Sequence, residues 1–162
     1  ENYINQVKEI SQVLIQQNSE NKQIYEENTE KYIKDLEKVE KQYEEISQEL
    51  NGQKAICLNE ALEYLAKDIK LEYISLHTDH DENSMSAESI KNIINKMNTE
   101  NIKIILIGKD DSIKNAEILA NETNAKIYKL DTVLTGATDK SAYIDAANRN
   151  LEVLKSVLGD EK

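Results

Sequence analysis

The stretch from residue 102 to 131 constrains the fold more than any other. Ile-Lys-Ile-Ile-Leu-Ile at 102–107 is a continuous apolar run of strand length, which fits a strand covered on both faces. A helix-patterned segment follows from Asp111 to about Thr123, and a second short strand, 126–130, ends on Asp131. Two strands joined by a helix pair in parallel, and open parallel sheets take ligands outside the carboxyl ends of their strands. The order therefore predicts a carboxylate, Asp131, at the ligand edge of an α/β fold.

The rest of the chain extends the same alternation. Residues 54–58 form a strand candidate followed by a helix from Asn59 to about Lys70, and 71–76 form a second strand. Ser86 and Glu88 open a helix to about Thr99, and a last helix runs from about Lys140 to Leu158, closed by Gly159. Four strands alternating with helices predict a four-stranded parallel sheet flanked by helices. Proline is absent, so the turns rest on Gly, Asn and Asp.

The first third reads differently. Tyr3, Val7, Ile10 and Leu14 recur at helical spacing, and Asn18-Ser19 break and re-cap the backbone. A long helix follows with the stripe Tyr25, Tyr32, Leu36, Val39, Tyr43, Ile46 and Leu50, ended by Asn51-Gly52. The stripe suits a helix packed along a domain; its spacing by threes and fours also allows a self-associating coiled coil, and with it an interaction or scaffold role. The expected organisation is a helical connector over 1–52 and an α/β lobe over 53–162. The chain starts with a helical repeat already running, as a cut piece of a longer protein would.

Composition narrows the chemistry. A net charge of −11 over 162 residues argues against a nucleic-acid partner, because phosphate neutralisation needs a basic face. One cysteine allows neither an internal disulfide nor a multi-cysteine metal site, and Cys57 sits in the apolar run 55–58 as a small buried hydrophobe. No apolar run approaches the length of a membrane span, and no signal-peptide pattern opens the chain. The four glycines are isolated, so no phosphate loop is present, and no serine lies in a nucleophile elbow. Asp110 and Asp111 after the third strand suggest a receiver-type phosphoacceptor, but the acidic cluster such a domain needs on its first strand is missing. A binding protein is the better expectation than an enzyme.

Three positions can hold a ligand. Asp131 is either a hard oxygen ligand or a helix-capping loop residue. Asn59 is either a plain helix N-cap or a weak carbonyl donor, and Glu60 beside it suits the positive end of the helix without any ligand. His77 and His80, with Asp79, Asp81 and Glu82, form either a zinc-binding loop or a solvated one.

The order of these segments resembles the C-terminal half of the zinc/manganese solute-binding proteins of ABC importers, the zinc-uptake complex component A family. Tyr25, Asn28, Tyr32 and Leu36 resemble the run on that family's helix after its first lobe. The segment 59–65 is similar to the strand-end run that begins with a ligating His or Glu. Residues 81–84 resemble its Glu-Pro-Ser element, 116–125 its helix-turn before the last strand, and Tyr143, Asn150, Leu151 and Leu154 its closing helix. The resemblance implies two α/β lobes joined by a long helix, the N-terminal lobe being absent from this chain, with zinc or manganese captured between them. It further implies an extracytoplasmic, membrane-anchored lipoprotein that delivers the metal to an ABC permease. Asp131 falls on the family's carboxylate ligand and Asn59 on its His or Glu ligand. Gly108 stands where the family has a glutamate, and Asn83 where it has the proline. Without the upstream histidines, this chain alone is expected to bind zinc or manganese weakly at most; a degenerate homologue that has lost the metal is the other expectation.

Overall fold

The computed structural model describes residues 2–76 and 86–160. Two helices open the chain, α1 (Asn2–Gln17) and α2 (Lys22–Leu50), separated by a single tight helical turn at Ser19–Asn21. Then come β1 (Lys54–Cys57), α3 (Glu63–Asp68), β2 (Glu72–Ser75), α4 (Ala87–Thr99), β3 (Ile104–Gly108), α5 (Lys114–Thr123), β4 (Lys126–Leu130) and α6 (Ala142–Asp160). The expected fold class holds: the four strands form one sheet in the order β2-β1-β3-β4, and every pairing is parallel.

The chain divides into two compact units, Glu1–Tyr43 and Glu44–Lys162, with the division inside α2. In the first unit the Tyr3 ring meets the Tyr32 ring edge-on at 6.5 Å, and Thr29 donates to the Ser11 hydroxyl at 2.8 Å. Ser11 is buried, so this bond satisfies a hydroxyl that water cannot reach. Tyr32 of the stripe thus helps hold α1 against α2.

In the second unit β1 and β3 are central and almost wholly buried, which is why both read as unbroken apolar runs. Ile105 and Ile107 point to one face and pack with Ile93 and Met97 of α4 and Ala116 and Leu119 of α5. Each strand is entered from a turn that needs a left-handed residue, and with so few glycines the chain uses others. Gly52 takes φ +79°, but Asn101 and Asn124 each take φ 53° and Lys70 takes φ 60°. Asparagine tolerates this region because its short polar side chain bonds locally.

Several ends differ from the sequence expectation. Ile102 is fully buried, but its N–H donates to the Met97 carbonyl at 2.8 Å, so it closes α4 and β3 starts at Ile104. The segment after Asn59 begins as a tight turn, Glu60–Leu62, before α3. Gly159 does not close the last helix, which continues to Asp160. Among the described residues no helix is long and apolar enough to cross a membrane.

Candidate functional site

Strand order creates the site. From β1 the chain winds outward to β2, and from β3 it winds the other way to β4, so the winding reverses between β1 and β3. Adjacent carboxyl ends at such a point leave a crevice because the two connections leave in opposite directions.

Asn59 stands at the β1 side of this crevice. Its Oδ1 accepts from the Ala61 N–H at 2.9 Å, which is an N-cap of the turn that follows. Its Nδ2 donates to Asp111 Oδ2 at 2.8 Å, and the Gly108 N–H donates to the same oxygen at 2.8 Å. A Cβ on Gly108 would lie 2.6 Å from Asp111 Oδ2 and 3.0 Å from Asn59 Nδ2. The missing side chain at 108 is therefore what lets the Asp111 carboxylate lie across the end of β3. This also explains why α5 starts at Lys114 rather than Asp111: Asp111 is held in the strand-end turn, its own N–H on the Gly108 carbonyl at 3.1 Å. Cys57, just below, is buried and its Sγ–H donates to the Asn59 carbonyl at 3.2 Å. Burial pushes the thiol up, so it stays protonated at neutral pH.

Asp131 stands one strand further, at the end of β4, with its side chain only 4% exposed. The Lys109 ammonium donates to its Oδ2 at 2.8 Å and Arg149 Nη2 to the same oxygen at 3.2 Å. Its Oδ1 accepts from the Val133 N–H at 2.9 Å, which holds Val133 at φ 59°, an uncommon conformation for a β-branched residue. The Asn150 amide on α6 clamps the backbone: its Oδ1 accepts from the Asp131 N–H at 2.7 Å and its Nδ2 donates to the Asp131 carbonyl at 2.8 Å. Burial alone raises the Asp131 carboxyl, but Lys109, the Val133 N–H and Arg149 together outweigh it and hold the group below the usual aspartate range. The carboxylate is charged at neutral pH and carries two cations on one oxygen.

The structure thus places Asn59 and Asp131 on one sheet edge, separated by the end of β3. The His77/His80 loop and the 81–84 element, Asn83 included, lie outside the described residues. Among the described residues no group of three or more His, Cys, Asp or Glu stands close enough to hold a metal ion. Sequence reasoning missed Lys109 and Arg149 as partners of Asp131, and nothing in their exposed, sequence-distant positions signals it. Asn150 did carry a signal: it is a polar residue on the stripe otherwise built from Ala146, Ala147, Leu151 and Leu154.

A sheet wound outward in both directions, with polar and acidic side chains at its carboxyl edge, has the architecture of open α/β lobes that take ligands at such an edge. Comparison with known proteins gives the family: zinc-uptake complex component A, periplasmic, matches residues 1–157. The chain belongs to that family. It is 31% identical over 158 residues to the high-affinity zinc uptake system protein ZnuA of Bacillus subtilis (strain 168), covering 94% of this chain and 49% of the relative. The chain spans about half the length of this curated relative. Among solved structures, the metal-dependent lipoprotein YcdH from Bacillus subtilis superposes with a TM-score of 0.75 at 28% identity, over 92% of this chain and 58% of that one. The solute-binding protein FpvC from Pseudomonas aeruginosa, in complex with Mn2+, shares the fold with a TM-score of 0.76 at 21% identity, over 98% and 60%.

Proposed function

We propose that this chain is the metal-facing C-terminal lobe, with its connector helices, of an extracytoplasmic solute-binding lipoprotein that passes a divalent metal to an ABC permease. The reading rests on one observation: a family match along nearly the whole chain coincides with a buried, ionised carboxylate at a strand's carboxyl end. Asp131 is the ligand this lobe supplies, and Asn59 is a weak second donor through its carbonyl oxygen. Zinc and manganese both accept such oxygen donors. No step of chemistry is needed: the protein binds and releases its cargo, and a second lobe supplies the remaining donors.

The test has two arms. Zinc titrated into this chain binds with at best micromolar affinity, and joining the N-terminal half of the Bacillus subtilis relative ahead of it gives tight binding that Asp131→Ala lowers at least tenfold. Tight binding in the joined protein that is indifferent to Asp131→Ala contradicts the assignment.

A second reading has its own support. Both Asp131 oxygens already have partners and the Asn59 amide is turned onto Asp111. A homologue that no longer holds a metal, or holds another solute, would keep such a closed edge. In that case the joined protein binds neither zinc nor manganese.

A further inference from the structure

We propose that Lys109 limits the affinity of this site for a divalent ion: its ammonium stands on Asp131 Oδ2, so that a metal binds that oxygen only by displacing it. The inference rests on Asp131 being a ligand, and it adds what decides how well that ligand works.

Geometry carries it. The Lys109 N–H donates to the Leu130 carbonyl at 2.8 Å, continuing the β3–β4 ladder past the end of β3. The lysine backbone is therefore fixed beside Asp131, and its four-carbon stem needs only to fold back to bring Nζ to Oδ2 at 2.8 Å. The burial of the two partners is asymmetric, 37% exposed for Lys109 and 4% for Asp131. The ammonium is thus the solvent-facing member of the pair. A metal would bind the oxygen at about 2.0–2.2 Å, too close to share it with an ammonium of like charge. Oδ1 accepts the Val133 N–H, which ties that oxygen to the loop backbone and leaves Oδ2 as the oxygen for which the cations and an arriving ion compete.

Lysine rather than arginine suits a displaceable cap. Its ammonium is a point charge on a flexible stem, and water receives it when it leaves. Arg149 sits further off, at 3.2 Å, and is 61% exposed, so it is the looser of the two cations. Displacing Lys109 means breaking a charge-assisted hydrogen bond, which corresponds to a factor of about ten or more in affinity.

The experiment measures zinc and manganese affinity by competition with a chromophoric chelator for this chain and its variants. Lys109→Gln, which keeps a donor but loses the charge, binds zinc about tenfold tighter or more than the unaltered chain. Lys109→Met behaves the same way, Lys109→Arg stays at the unaltered level, and Asp131→Asn in the Lys109→Gln background abolishes the gain. Thermal unfolding followed by circular dichroism establishes that each variant is folded. If Lys109→Gln and Lys109→Met leave affinity unchanged while Asp131→Asn still lowers it, Lys109 is no competitor and this inference alone fails. If Asp131→Asn alters nothing in either background, the ligand assignment itself fails and takes the inference with it.

Discussion

Two carboxylates on the same sheet edge are held in opposite ways. Asp111, beyond β3, is exposed and is met by neutral donors, the Asn59 amide and the Gly108 N–H. Asp131, beyond β4, is buried and is met by two cations. The difference follows from solvation. An exposed carboxylate keeps most of its hydration and needs only positioning, whereas taking an ion out of water costs several kcal/mol unless opposite charge replaces the water. The β3 end is therefore a place where the lack of a side chain makes room, and the β4 end one where charge is gathered around a fixed anion.

The comparison breaks most visibly at its backbone support. Asn150→Leu should cost about 3 kcal/mol, since it leaves the buried Asp131 N–H and carbonyl without partners. Chemical denaturation measures it, and a loss below 1 kcal/mol would mean the β4 end does not depend on the clamp.

A smaller effect is the acid limb. The Asp131 carboxyl is lowered in the folded chain, so its contribution is complete above the ordinary aspartate pKa of about 3.9 and fades as pH falls through the lower folded value. Asp131→Asn should be less stable than the unaltered chain at pH 7 by about 1–2 kcal/mol, and the gap should narrow in acid. A gap that stays constant down to pH 2 would show that the cations do not stabilise the charged form.

The smallest change belongs to the β3 end. Gly108→Ala pushes against a side chain that can swing into water, so about 1 kcal/mol is expected, close to that of Asn59→Ala. Because both act through the Asp111 carboxylate, the double variant should cost less than the sum. Strict additivity would mean that Asn59 and Gly108 are not linked through Asp111.

Much of this architecture was legible in the sequence. The unbroken apolar runs announced central strands, the alternation with helices announced parallel pairing, and the last apolar run ends on Asp131. The capping role of Asn59 was legible too, because a helix start leaves free N–H groups that its side chain can meet. The rest depends on contacts between distant segments. Nothing in the sequence singles out Lys109 or Arg149; only the β3–β4 register and α6 bring them to Oδ2. Gly108 read only as a lost glutamate, since a sequence does not show that a carboxylate three residues on will fill the space. Residue 108 illustrates the limit: absence of a side chain has meaning only beside the neighbour it admits.

The most direct test of the proposed metal-facing edge uses this chain as it is. Manganese added to the 15N-labelled protein should broaden amide resonances around Asp131 first, with Val133 and Leu134 strongest, and Asp131→Asn should abolish that focus. Broadening centred on another part of the chain, with residues 130–134 untouched, would contradict the account.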